Sequence, residues 1–152
     1  LPCNFETGKE KREIKMIKIQ NLNDKNFKKF GIIICPENKS KIFDVICKEK
    51  EKVGWRIGYL ILNPQKVKML EAHPYSMETF EPVKGTSIII VAENKKPEKF
   101  YAFLLDKPVC LYKGTWHAII ALSESIEIKI TENLEVDSVF YKLKKPLDIV
   151  LE

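Results

Sequence analysis

The chain of 152 residues contains two histidines, one just after a glycine turn at the start of an apolar run and one at the head of a run that ends at a glycine turn. His73 opens "HPYSMETFEPVKG" (73 to 85), which ends on Gly85 and leads into "TSIIIVA"; His117 lies in "KGTWHAIIAL" (113 to 122), just beyond Gly114. Glu78 is close enough in sequence to His73 to join them. Two imidazoles and a carboxylate from separate strand-and-turn units support two kinds of chemistry. One is a 2-His-1-carboxylate metal site; the other is a general acid and base pair tuned by proximity. The plainer alternative for His117 is a hydrogen-bonded core residue.

Strands must bring these groups together. Period-two alternation is clearest in "SIEIKIT", where Ile126, Ile128 and Ile130 point one way and Glu127 and Lys129 the other. Further runs rich in β-branched and aromatic residues are "WRIGYLILN" (55 to 63), "TSIIIVA" (86 to 92), "KFYAFLL" (99 to 105), "PVCLY" (108 to 112) and "WHAIIAL" (116 to 122). Turn signals separate them: "NPQK" at 63 to 66, "EPVKG" at 81 to 85, "ENKKPEK" at 93 to 99, "DKP" at 106 to 108 and "ENLE" at 132 to 135. So many short strands predict an all-β barrel, because an antiparallel sheet must close or double over to hide its apolar face and its edges. On such a strand His117 shares a face with Ile119 and Ala121 and points into the barrel, while Trp116 is expected to plug one end. "NDKNFKKFG" predicts one short helix, capped by Asn23 or Asp24 and ended by Gly31 in a left-handed conformation. "SKIFDVICKEKEKVG" (40 to 54) suits a helix or a strand equally. "KKP" at 144 to 146 marks a turn into a last strand, "LDIVLE".

Length and composition bound the rest. The chain is one domain's worth of sequence, read as a tail over 1–12 and a barrel domain over 13–152. No apolar stretch reaches the ~20 residues of a membrane-spanning helix, and the N-terminus lacks the pattern of a secretory signal. A net charge of +5 comes almost wholly from lysine, with Arg12 and Arg56 the only arginines, and the lysines alternate with glutamates. That pattern lacks the guanidinium forks and the basic stripe of a nucleic-acid reader. Cys3, Cys35, Cys47 and Cys110 form no C-x-x-C pair, so free thiols in a reducing cytoplasm are expected.

"GTWH" resembles the second cupin motif and "HPYSMETFEPVKG" a degraded first cupin motif. More narrowly, "EAHPYSMETFEPVKGTSIIIVA" with "FYAFLLDKPVCLYKGTWHAIIAL" is similar to the ureidoglycolate lyase family of cupins, whose pattern has E-R-H-P, then Q-x-F-x-P, a glycine and a run of valines, and later V-N-Y-H-x-x-x-W-H-H-P. The likeness spans about residues 55 to 131, and more weakly "NDKNFKKFG". His73, Pro74, Phe80, Pro82, Gly85, Trp116 and His117 match. Ala72 stands where the family has arginine, Glu78 where it has glutamine, and Tyr112 and Ala118 where it has histidines; "KIFDV" (41 to 45) keeps Asp44 of the family's R-Y-H-D-L but has Phe43 in place of its histidine.

The resemblance implies a cupin-type double-stranded β-helix (jelly roll), a homodimer paired through strands, and a lyase of allantoin and purine breakdown that releases urea from ureidoglycolate and leaves glyoxylate. It assigns proton transfer to His73 and His117, orientation of an imidazole to Glu78, and substrate contacts to Lys84, Lys113, Tyr112, Tyr75 and Asp44. The expected partner is a small carboxylate, with no nucleic acid and no membrane. No cofactor is expected, since a cupin site of three histidines and a glutamate cannot be built from two histidines; a divalent ion on His73, Glu78 and His117 is the alternative. The alternative function is a cupin that binds a small acid or sugar derivative without turnover or with another specificity.

Overall fold

The computed structural model describes residues 17–37 and 39–147. The expected tail at 1–12, Cys3 and residues 148–152 of the last run lie outside them. In chain order the elements are β1 (Ile19–Asn21), α1 (Asp24–Phe27), β2 (Gly31–Ile33), β3 (Trp55–Leu62), β4 (Val67–Ala72), β5 (Glu78–Lys84), β6 (Ser87–Ala92), β7 (Phe100–Leu104), β8 (Val109–Leu111), β9 (Trp116–Ala121), β10 (Ile126–Asn133) and β11 (Val139–Leu147). One sheet runs β1-β7-β6-β9-β4-β11 and the other β2-β8-β5-β10-β3. Apart from the parallel pair β1 and β7, every pairing is antiparallel. From β3 to β6, and again from β7 to β11, successive strands alternate between the sheets, so each connection crosses the sandwich. The strand pattern predicts an all-β barrel, and the two sheets with alternating crossings are the jelly-roll form that the family resemblance implies.

Alternation places the core. Ile89, Val91, Phe103, Val109, Leu111, Ile119, Ala121, Ile126 and Ile128 face inward and are buried between the sheets. Phe27 and Phe30 close one side, with Phe27 edge-on to Phe103 at 5.3 Å between ring centroids. The opposite faces of β6 and β9 build a second cluster, in which Ile88, Ile90 and Ile120 pack with Leu70, Leu143 and Leu147. Burial on both faces explains why "SIIIVA" shows no alternation: every residue of β6 is buried.

Several local expectations change. Asn23 caps α1 in a reciprocal box with Asn26, but Gly31 does not end the helix in a left-handed conformation; only Gly85 and Gly114 have positive φ among the described residues. Gly31 begins β2, where a Cβ would meet the Cys110 carbonyl oxygen, so close strand approach is what requires glycine there. Trp116 does not plug the barrel: it alternates with His117, lies on the outer side against Tyr141, and donates Nε1 to the Asn94 carbonyl at 2.9 Å. The turns read at 81 to 85 and 132 to 135 begin later, because β5 continues to Lys84 and β10 to Asn133. "KKP" lies inside β11, whose pairing with β4 loses register between Lys142 and Leu147, as a proline lacking its N–H demands. Residues 39–54 form neither helix nor strand, and the segment is tied down by Lys113–Glu49 at 2.9 Å and by Leu134 N–H donating to the Gly54 carbonyl at 2.9 Å.

Gly114 lies in the turn that delivers His117. Its φ is 80°, and a Cβ there would come 2.7 Å from Asn94 Nδ2, which itself donates to the Gly114 carbonyl at 2.8 Å. Gly114→Ala is therefore expected to cost at least about 1–2 kcal/mol, read as a lower urea midpoint with an unchanged slope.

Candidate functional site

The jelly-roll crossings assemble the site. His73 follows the last residue of β4 in one sheet, and the chain crosses to begin β5 in the other sheet with Glu78. His117 is the second residue of β9, directly across from Glu71 of β4 and Val91 of β6. Gly114 N–H donates to the His73 carbonyl at 2.8 Å, so the turn before His117 is fastened to the residue that carries the other imidazole.

The three side chains meet. Glu78 Oε2 lies 3.1 Å from His73 Nε2 and 3.0 Å from His117 Nε2, and the rings stand 5.3 Å apart between centroids. His73, Glu78 and His117 are buried, at 6%, 7% and 6% exposure. Phe80 sets its ring edge-on to His117 at 5.3 Å and walls the site on the apolar side. Each imidazole is also held from behind: His73 Nδ1 lies 3.1 Å from the Asp137 carbonyl and 3.2 Å from Ser138 Oγ, and His117 Nδ1 lies 3.0 Å from the Thr115 carbonyl. A carbonyl only accepts, so Nδ1 carries the proton in each ring and the neutral form turns its Nε2 lone pair toward Glu78.

That arrangement settles the electrostatics. Two lone pairs facing a buried carboxylate oxygen repel it, and Oε2 has no hydrogen-bond partner unless a ring is protonated or a cation intervenes. At His73 burial opposes the charged ring, but the bond to Glu78 and its charge, with the Asp137 carbonyl and Glu71, outweigh burial and raise the pKa from 6.5 to about 9. At Glu78 burial pushes upward, and the bonds to both imidazoles outweigh it and hold the carboxyl at about 2. A protonated His73 paired with an ionised Glu78 is thus the neutral-pH state of the ion-free protein. The His73 contribution to stability is fully present below about pH 6.5 and lost as pH rises through about 9. That of Glu78 is present above about pH 4.5 and lost as pH falls through about 2.

The other residues assigned from sequence are spread out. Tyr75 is on the β4–β5 crossing and exposed, its carbonyl accepting from Asn133 Nδ2 at 3.1 Å. Lys84 pairs with Glu127 at 3.9 Å on the outer face of its sheet, so the structure does not bring it to the imidazoles. Lys113 is engaged by Glu49 at 2.9 Å and Glu51 at 3.7 Å. Asp44 pairs with Lys41 at 3.4 Å, and Tyr112 borders a shallow depression with Asp24, Phe27 and Lys28.

Two carboxylates escaped the sequence reading. Glu71 Oε1 and Glu132 Oε2 each lie 3.9 Å from His73 Nε2. Glu132 was readable in principle: in "SIEIKITE" it is the next inward position after Ile126, Ile128 and Ile130. Glu71 is two residues before His73 on the same face. Donor atoms of Glu71, His73 and His117 fall within 4.8 Å of one another, as do those of His73, Glu78 and Glu132. Imidazole nitrogens with buried carboxylate oxygens, one lacking any hydrogen-bond partner, fit a divalent cation.

A family model described as ureidoglycolate lyase matches residues 45–139, in agreement with the resemblance carried by the motifs and with a cupin-type barrel. Among solved structures, the vicilin from Solanum melongena is similar at 20% identity and TM-score 0.45, over 58% of this chain and 24% of that one. Procruciferin from Brassica napus is similar at 8% identity and TM-score 0.44, over 58% and 22%, and recombinant oxalate oxidase in complex with glycolate at 11% and 0.43, over 82% and 79%. The chain spans about a quarter of the length of the first two. No curated protein matches.

In the ion-free protein, the His73 ring is expected to titrate near pH 9 by ¹⁵N NMR. In Glu78→Gln the midpoint should fall toward or below the ordinary 6.5, since burial then loses its main opponent. A midpoint unmoved by that substitution would show that Glu78 does not hold the proton on His73.

Proposed function

Because the chain belongs to the ureidoglycolate lyase family, we propose that its barrel performs an elimination of that family's type, releasing urea from ureidoglycolate and leaving glyoxylate. The observation that carries this reading is the single carboxylate oxygen of Glu78 between two buried imidazole Nε2 atoms. The reaction needs a base for the carbinol hydroxyl proton and an acid for the departing urea nitrogen. His117 Nε2, its Nδ1 proton committed to the Thr115 carbonyl, takes the hydroxyl proton as the carbonyl forms. His73, kept charged to about pH 9, gives its Nε2 proton to the nitrogen as the C–N bond breaks. Glu78 holds both rings in register and offsets the imidazolium charge.

The substrate's carboxylate needs a positive counterpart, and Glu71, Glu78 and Glu132 make the surroundings of His73 unfavourable for an anion by themselves. A divalent cation held by Glu71, His73 and His117 would supply that charge, but it would take the Nε2 atoms of both rings, so it is an alternative to these acid and base roles rather than an addition to them. Of the side chains the resemblance assigned to substrate, Tyr75 is on the crossing that carries His73, and we assign it the contact with substrate. The competing reading is a binder without turnover, favoured by Ala72, Tyr112 and Ala118 at positions where the family carries arginine and histidines.

The same proposal takes the working unit to be a pair of barrels. β3 ends its sheet, and Trp55, Ile57, Tyr59 and Ile61 on its outer side are each more than half exposed, an apolar row on a free edge of the sort that a partner covers. Light scattering is expected to give twice the chain mass, and charged replacements at Ile57 and Ile61 to halve it.

With ureidoglycolate supplied, the protein is expected to release glyoxylate above the buffer blank, and His117→Ala or Glu78→Gln to lower the rate by about 10²–10⁴-fold. A wild-type rate equal to the blank would leave the binder reading in place.

A further inference from the structure

We infer that Glu132 of β10 is a ligand to a divalent cation centred on His73, Glu78 and His117, and that Arg56 of β3 is the residue that positions it. The cupin-type motifs place ligands on β4, β5 and β9, and none assigns a role to β10. The register nevertheless sets Glu132 opposite Glu78 on one side and opposite Arg56 on the other, so its side chain is carried inward with Ile126, Ile128 and Ile130.

The two oxygens of Glu132 are used differently. Oε1 accepts from Arg56 Nε at 2.9 Å and lies 2.8 Å from Nη2. Oε2 is left aimed at His73 Nε2, 3.9 Å away. That spacing is too long for a hydrogen bond and leaves space for an ion between the two atoms. A carboxylate with one oxygen anchored by a charged neighbour and the other turned toward a neighbouring donor is the arrangement by which outer groups orient metal ligands. The Glu132 side chain is only 11% exposed, so it is not a solvated surface acid.

An independent observation points to the same ion. Glu78 Oε2 is fully buried, and with both rings neutral it has no hydrogen-bond partner, because the Nδ1 anchors turn both lone pairs toward it. Charge agrees: Glu71, Glu78 and Glu132 surround His73, and Arg56 neutralises only one of them. Oxygen-rich donors with imidazole and no thiolate suit manganese or ferrous iron.

The test uses the full chain, stripped with a chelator and titrated with Mn²⁺ without substrate, following loss of the free-ion EPR signal; it is therefore scored whether or not the lyase reading stands. One Mn²⁺ per chain is expected, with a rise in melting temperature. Glu132→Gln should weaken binding by about 10–100-fold, Arg56→Ala by about tenfold, and Arg56→Lys should recover part of that loss. Circular dichroism of the ion-free variants separates misfolding from ligand loss, and Glu132→Asp provides a second, smaller perturbation at the same position. Wild-type protein that leaves the Mn²⁺ signal unchanged at millimolar ion would overturn the site. Folded Glu132→Gln and Glu132→Asp that bind within twofold of wild type would overturn the role of Glu132.

Discussion

The arrangement of the polar cluster depends on one buried carboxylate oxygen facing two imidazole nitrogens. Because each ring's Nδ1 proton is committed to a backbone carbonyl, the rings cannot turn to offer Glu78 a proton without losing a bond of their own. Positive charge must therefore enter the cluster, either as a proton shared with His73 or as a bound cation. The apolar wall at Phe80 and the burial of all three groups make that requirement strict, since burial weakens the screening that bulk solvent gives. Repulsion between the lone pairs and the carboxylate is what gives the cluster its demand for positive charge.

The jelly roll keeps such a cluster together by drawing its side chains from four strands in two sheets. β4 delivers Glu71 and His73, β5 delivers Glu78, β9 delivers His117 and β10 delivers Glu132, so both sheets converge on one point. The core below is built from the same inward positions, with Ile119 and Ala121 continuing the line of His117 and Ile126 and Ile128 that of Glu132. The polar cluster is the end of an otherwise hydrocarbon stack. Glu71, Glu78, His117 and Glu132 are held by strands and His73 directly follows one, which favours fixed geometry.

Most of this was legible from alternation. β3, β6, β7, β8, β9 and β10 follow runs visible in the sequence, and the inward direction of His117 follows from its parity with Ile119 and Ala121. β4, "VKMLEA", was missed because it lacks a period-two pattern: Lys68 and Met69 are both exposed while Leu70 is fully buried. β5 was hidden by Pro82, which reads as a turn yet sits in a strand at an irregular register. The meeting of the two imidazoles was anticipated, while Glu71 and Glu132 were not, because glutamates on strands are ordinarily solvated and only the register shows which ones turn inward. The segment from 39 to 54 resisted assignment for a physical reason: the helical spacing of Phe43, Ile46 and Cys47 competes with β-branched residues that suit a strand, and Ile42 and Phe43 remain exposed.

The bond from Gly114 N–H to the His73 carbonyl joins the end of β4 to the turn that opens β9. Separating the two rings therefore requires breaking that tie and the strand pairing beside it. Heat or denaturant should consequently extinguish the pocket and the barrel in a single cooperative step, leaving no partly melted form in which one imidazole survives at its post without the other.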